Sequence, residues 1–226
     1  MFKILPVLFS SWRFIISLVL TNVLIVLLYL LLLETSSDPA IETRFFGAGL
    51  VIFPSLIFYL HYYNSLFRNS YFRFLNLNLS KKTFFSYVFT LLLTLSAIII
   101  ICCLAIYGIT NSIYFGSVTI DAIFTKNLIY LVLLQVFLSS VSFIALSIST
   151  SIWLFAAIIF YFLLEDTLIL LLELKVKSLA FIGDYLPLES FSNVFTSTSF
   201  DWFYFIPVLY ILISSLIIYK KNYIIL

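Results

Sequence analysis

Charged residues are scarce in this chain. Only 10% of its 226 residues are Asp, Glu, Lys or Arg, whereas 64% are hydrophobic and the mean hydropathy is +1.21. An average soluble domain carries roughly a quarter charged residues, so this chain has too few to cover the surface of a soluble globule. The composition predicts an all-α integral membrane protein, because a bilayer suits such a chain. The net charge of +2 is too small to indicate binding to nucleic acid.

Residues that support catalysis or metal binding are equally rare. The single histidine, His61, cannot build a zinc site alone, and no candidate nucleophile is near it in the sequence. Cys102 and Cys103 are adjacent in an apolar run and lack metal-ligand spacing. None of the five glycines belongs to a phosphate-binding loop. We therefore predict that the chain is not an enzyme, holds no metal or cofactor, and does not hydrolyse ATP by itself.

Apolar runs long enough to cross a bilayer divide the chain. A transmembrane helix needs about 20 apolar residues to cross ~30 Å of hydrocarbon. The uncharged run Asn127–Leu164 is too long for one crossing, and "SISTS" at Ser147–Ser151 predicts a turn that splits it. We interpret the N-terminal run as a retained span and predict a single transmembrane domain over residues 1–226. Its six predicted spans are Phe14–Leu33, Phe45–Tyr63, Phe84–Tyr107, two within Asn127–Leu164, and Trp202–Tyr219.

The distribution of charge supports this count. With both termini in the cytoplasm, the cations fall mostly inside, which is the bias of the positive-inside rule. All ten acidic residues then fall outside. The inside cations are Lys3, Arg13, Arg68, Arg73, Lys81, Lys82, Lys220 and Lys221, and the outside cations are Arg44, Lys126, Lys175 and Lys177.

The outer segment Glu165–Asp201 mixes short apolar pieces with charges. The pieces are too short to cross a bilayer, so we predict short re-entrant helices that dip into the outer leaflet before the last span. An ordinary surface loop with one amphipathic helix is the alternative.

Few polar side chains lie within the predicted spans. The amides of Asn22 and Gln135 most simply form hydrogen bonds between helices, and the alternative is that they line a translocation path together with hydroxyls such as Ser139. We find no set of polar residues that converges at one membrane depth, which argues against an enzyme acting on lipid. Small residues recur at helical spacing on the fourth span and predict a close-packed helix seam, either within the subunit or between two copies, at Ser142, Ala145 and Ser149.

Positive charge is concentrated in "LFRNSYFRFLNLNLSKK", Leu66–Lys82, which contains no acid. Its apolar residues predict an amphipathic helix along the cytoplasmic face, and Ser80 is placed to cap the third span. Lys81 and Lys82 begin that span, where the helix dipole favours acids. The helix dipole therefore does not explain the two lysines. Retention of this loop on the cytoplasmic side, or binding of a partner, explains their presence better.

In layout the chain resembles the six-helix membrane subunits of ABC-2-type transporters. "MFKILPVLFSSWR", residues 1–13, is similar to the amphipathic N-terminal helix of that family. "FRFLNLNLSKKTFFSY" is similar to its basic segment between spans two and three, although Asn78 replaces a proline of the pattern. "DYLPLESF" is similar to its outer re-entrant segment, and "YKKNYIIL" to its basic end.

The resemblance implies a permease that pairs with a second copy of itself or a homologous permease and docks on a separate ABC ATPase. It implies a multi-pass protein of the plasma (inner) membrane of a bacterium, in contact with lipid, that exports an amphipathic or lipid-like substrate. Residues 64–83 would be the coupling segment, with Arg68, Arg73, Phe74, Lys81 and Lys82 as ATPase-coupling residues. The alternative is a multi-span membrane subunit that scaffolds a partner complex without transport.

The six-span topology predicts that two reporter tags will lie on opposite sides of the membrane. A tag after Asn76 is expected in the cytoplasm and a tag near Leu188 outside, because three predicted spans separate the two positions and an odd number of crossings changes the side. Accessibility of each tag to a membrane-impermeant reagent in intact cells is the measurement. Equal accessibility of both tags would contradict the topology.

Overall fold

The computed structural model describes residues 12–35, 51–68, 79–115, 122–148, 152–175, 181–183, 185–187, 190 and 205–220. Within these residues the chain is all-helical, as predicted, and it contains six long helices and no strand. They are α1 (Trp12–Thr35), α2 (Ile52–Phe67), α3 (Lys81–Phe115), α4 (Ala122–Ile148), α5 (Ile152–Lys175) and α6 (Phe205–Lys220).

Three of these helices contain stretches that are long and apolar enough to cross a membrane. The stretches are Trp12–Leu31 in α1, Lys81–Ile113 in α3 and Leu128–Ile148 in α4. Helix α6 is also apolar but shorter. The prediction of a helical multi-pass membrane protein is confirmed at this level. Six crossings remain a prediction.

Helix boundaries agree with the sequence at the predicted turn and differ most at the ends of α3 and α5, while α2 also continues past the predicted end at Tyr63 to Phe67. Helix α4 ends at Ile148 and α5 begins at Ile152, so the break near "SISTS" is confirmed. Helix α3 continues past Tyr107 to Phe115, and α5 continues past Leu164 to Lys175. The charges of Glu165 and Asp166 end the uncharged run but do not end the helix. The residues from 165 to 175 are mostly Leu, Ile, Glu and Lys and contain no Gly or Pro, so the helix continues through them.

The described residues between α5 and α6, which are 181–183, 185–187 and 190, contact the helix bundle. Residues 181–183 form a 3₁₀ turn, and a Cβ added at Gly183 would lie 3.5 Å from the Ile169 side chain of α5. The Tyr210 hydroxyl of α6 donates a hydrogen bond to the Tyr185 carbonyl. This segment therefore contacts both α5 and α6. The re-entrant arrangement of residues 165–201 stays a prediction.

Aromatic contacts establish which helix ends lie together. Phe14 of α1 packs edge-on against Tyr62 of α2, with ring centroids 5.5 Å apart. Tyr62 lies close enough to Tyr87 of α3 for an electrostatic interaction. Phe85 of α3 packs edge-on against Tyr219 of α6 at 5.3 Å. The start of α1, the end of α2, the start of α3 and the end of α6 are therefore at the same end of the bundle.

Cations are concentrated on these helix ends. The residues concerned are exposed: Arg13, Arg68, Lys81, Lys82 and Lys220. We call this end of the bundle the basic end. The predicted N-terminal helix, residues 1–13, is described only for Trp12 and Arg13, which belong to α1. Arg73 and Phe74 of the coupling segment lie outside the described residues.

Hydroxyl groups within the long helices bond to their own backbone. Thr90, Thr94 and Thr110 of α3 and Ser140 of α4 each donate to the carbonyl four residues earlier, at 2.7 to 2.8 Å. This bonding suits hydrocarbon surroundings, where no water is present to satisfy a hydroxyl. These side chains therefore need no polar partner on another helix.

Ser80 caps α3, as predicted, and its removal has a measurable cost. The Thr83 backbone N–H donates to Ser80 Oγ at 3.3 Å. The Ser80→Ala variant is expected to lower the free energy of unfolding by about 1 kcal/mol, measured by circular dichroism during titration with sodium dodecyl sulfate. Ser86→Ala, an exposed position within the same helix, is the matched control and is expected to change it little. Equal effects of the two substitutions would contradict the capping role.

Candidate functional site

Helix α2 carries three buried polar side chains on one face. Ser55, Tyr59 and Tyr63 are four residues apart, which places them in a row along a helix. All three are fully buried. Helix α4 carries Gln135 and Ser139 at the same spacing, and they too are fully buried. The two rows face each other.

Hydrogen bonds join the two rows. The Tyr59 hydroxyl donates to Gln135 Oε1 at 2.8 Å, and Gln135 Nε2 donates to Ser55 Oγ at 3.1 Å. The hydroxyls of Tyr63 and Ser139 are 2.7 Å apart, and either can be the donor. We call these five residues the polar seam. Its geometry agrees with the interpretation of Gln135 as a residue that bonds between helices.

The order of these contacts shows that α2 and α4 are parallel. Tyr59 contacts Gln135, Tyr63 contacts Ser139, and Phe67 packs against Phe143 with ring centroids 5.1 Å apart. Both residue numbers therefore rise in the same direction. The end of α4 lies with the end of α2, at the basic end.

The polar seam holds helices together and has no group suited to catalysis. All its side chains are neutral amides or hydroxyls that bond to one another at zero exposure. Ser142 and Ala145 are also buried on α4, and Ser149 of the predicted packing row lies outside the described residues. Bonds of this kind contribute about 0.6 kcal/mol each on average in membrane proteins. The seam thus determines how α2 and α4 are oriented relative to each other.

Asn22 does not join the seam. Its Nδ2 donates to the Leu18 carbonyl of its own helix at 2.7 Å. The expectation that Asn22 bonds to another helix is therefore wrong, because a short amide at a half-buried position reaches back to its own backbone. Of the predicted path or seam residues, the structure groups Gln135, Ser139 and Ser142 on α4 and places Asn22 apart from them on α1.

The sequence did not reveal the convergence of polar residues at the seam. Tyr59 and Tyr63 are mostly apolar side chains that each carry one hydroxyl, so they conceal the polar row with Ser55 within an apolar run. The spacing of four residues was the available signal. The expectation that no polar residues converge at one depth is thus wrong, although the groups that converge are neutral.

Glu165 is the second feature that the sequence analysis missed. It was assigned to an outer segment, but it lies within α5 and is fully buried. Tyr161, one turn earlier, forms a hydrogen bond with it, and Tyr210 of α6 is close enough for an electrostatic interaction. An ionisable group buried in a membrane protein is costly without such partners. Glu165 is therefore a buried acid of α5 that lies within electrostatic reach of α6.

Three of the five predicted ATPase-coupling residues lie together at the basic end. Arg68 is the C-cap of α2, and Lys81 and Lys82 begin α3. All three are exposed and thus available to a partner. Arg73 and Phe74 are among the residues that the structure does not describe.

Comparisons with known proteins add no functional assignment to this site. No family model, no curated protein and no solved structure matches the chain. The functional argument therefore depends on the chain's own residues.

The two amides predict different costs of substitution. Gln135→Leu leaves the Tyr59 and Ser55 hydroxyls without their partner and is expected to lower the free energy of unfolding by about 1 to 3 kcal/mol. Asn22→Leu is the matched control and is expected to stay within about 0.5 kcal/mol of the parent, because only a local bond is lost. Detergent-induced unfolding measures both. An equal loss for the two variants would contradict the role of the seam.

Proposed function

We propose that this chain is the transmembrane subunit of an ATP-driven ABC-2-type exporter. In this proposal it crosses the plasma (inner) membrane of a bacterium six times, with both termini in the cytoplasm. It pairs with a second copy or a homologous permease and docks on a separate ATPase subunit. It moves an amphipathic or lipid-like substrate outward.

The basic end is the observation that carries the proposal. Arg68 closes α2 and Lys81 opens α3, so the coupling segment leaves from and returns to one end of the bundle. Arg13 and Lys220 add charge there. Helices α1 and α5 begin near the basic end. Each carries an acidic residue near its opposite end, Glu34 in α1 and Glu173 in α5. An acidic groove of a cytoplasmic partner would complement this surface.

Motion at the coupling segment has a mechanical route into the bundle. The segment begins in the last turn of α2, and hydrogen bonds of the polar seam join α2 to α4. A displacement of Arg68 by a docked ATPase would therefore move two parallel helices together. ATP must act on the partner, since this chain lacks a phosphate-binding loop.

The packing of the seam supports a substrate route outside the single subunit. Its polar groups are buried and bonded to one another, so they offer no polar passage between α2 and α4. Outward-facing side chains such as Leu20 and Leu216 are 63% and 57% exposed. A route between two copies, lined by apolar side chains, fits an amphipathic or lipid-like substrate.

Copurification with an ATPase subunit tests this function. The Arg68→Glu and Arg73→Glu double variant is expected to lose at least about tenfold of the copurifying ATPase, because two attractive charge pairs become repulsive. The amount of ATPase per amount of this chain, measured after mild detergent extraction, is the readout. Lys126→Glu, at the start of α4 away from the basic end, is the matched control and is expected to retain the partner.

Two results would count against the proposal. Normal copurification by the double variant, with unchanged yield and elution volume, would remove the docking role of the basic segment. A stable copurifying complex without ATPase activity would favour the scaffolding alternative.

A further inference from the structure

A lateral groove lies between α1 and α2. Its volume is about 240 Å³, and it is open on one side. Leu20, Thr21 and Leu24 of α1 form one wall, and Ile57 and His61 of α2 form part of the other. None of these residues belongs to the polar seam, so the groove is a separate feature of α2.

Polarity changes along the groove. Phe14, near the start of α1, contacts Tyr62, near the end of α2, and both helices continue along the groove from there to Leu24 and Pro54, so they pack in opposite directions. Ser17 and His61 therefore line one end, and Leu24 lines the other. At a rise of 1.5 Å per residue, the distance along α1 from Ser17 to Leu24 is about 10 Å. The groove thus has a polar end and an apolar end.

The polar end is next to the membrane interface. Trp12 is 72% exposed at the first residue of α1, and an exposed tryptophan at the end of an apolar helix is typical of the interface with water. Arg13 beside it is exposed as well. Leu20, on the groove wall, is 63% exposed, so the groove opens toward the hydrocarbon. A molecule in the groove would have its polar part at the interface and its apolar part inside the bilayer.

We propose that this groove binds one anionic phospholipid from the leaflet at the basic end. An acyl chain fills the space between Leu20, Leu24 and Ile57. The phosphate lies at the polar end, where the Arg13 guanidinium and the His61 ring donate to its oxygens. This site does not depend on the proposed ATPase partner.

Charge and shape together favour a phospholipid as the occupant. The cation is at the interface, where a lipid phosphate lies, and a guanidinium can bind phosphate through two parallel hydrogen bonds. The apolar end gains dispersion contacts when a chain fills it. A free phosphate would use only the polar end and leave the apolar end unfilled.

Photolabelling of the full chain tests the site. The protein is placed in nanodiscs of phosphatidylcholine that contain a small fraction of phosphatidylglycerol with a diazirine on one acyl chain, and labelled residues are mapped by mass spectrometry. Label is expected at Leu20, Leu24 and Ile57 at least fivefold above label at Leu212 and Leu216, exposed residues of α6. Phosphatidylcholine with the same diazirine is expected to give at least threefold less label in the groove. Inorganic phosphate is expected not to compete.

Variants separate the chain-binding and phosphate-binding parts. Arg13→Gln is expected to remove the preference for phosphatidylglycerol, whereas Arg68→Gln, an exposed cation outside the groove, is expected to keep it. Ile57→Trp fills the groove at a 40% exposed position and is expected to reduce groove labelling at least fivefold. Elution volume and thermal stability show whether each variant is folded.

Three outcomes would overturn the proposal. Label spread evenly over the groove and α6 would show ordinary contact with bulk lipid. Equal labelling by the two lipids would remove the preference for an anionic headgroup, because both lipids carry a phosphate and they differ in net charge. Loss of groove labelling in the presence of inorganic phosphate would show that a free anion displaces the lipid from the polar end, so that the acyl chain adds nothing to the selectivity of the site.

Discussion

The bundle depends on the pairing of Gln135 with Tyr59 and Ser55. One amide uses its acceptor and its donor on the same face of α2. Inside hydrocarbon these groups find no water, so each must be satisfied by protein. Moving α4 by one residue would turn Gln135 by about 100° and would separate Ser139 from Tyr63 at the same time. The seam therefore determines both the rotation and the axial position of α4.

The parallel arrangement of α2 and α4 determines what α3 must do. A chain that leaves α2 at the basic end and enters α4 at the opposite end has to return along the bundle, and α3 does so. Its 35 residues span about 52 Å, which exceeds the ~30 Å of a hydrocarbon layer. The excess lies partly beyond Tyr107, where the Tyr29 hydroxyl of α1 donates to Asn111 Oδ1 at 2.7 Å. That bond holds α1 and α3 together far from the basic end.

The features that depend on interactions between residues close in the chain could be predicted from the sequence. Apolar length predicted the helices, "SISTS" the break before Ile152, and Ser80 the cap of α3, because each depends on neighbouring residues. The contacts that orient helices were not predictable in this way. Tyr59 and Gln135 are 76 residues apart, and their pairing depends on helix rotation, which apolar runs do not encode. The position of Glu165 escapes the sequence for a related reason, since the uncharged run ends at Leu164 whereas α5 continues to Lys175.

Helix α2 connects the features of both proposals. Ser55, Tyr59 and Tyr63 face α4, whereas Ile57 and His61, two residues out of step with them, lie on roughly the opposite side. The seam side is joined by directional hydrogen bonds, and the groove side is bounded by apolar side chains with an open space between helices. A force applied at Arg68 would therefore move α2 and α4 together. The packing between α2 and α1 would deform more easily than the seam between α2 and α4. A phospholipid in the groove would fill that boundary, so its binding and the motion of α2 would be linked.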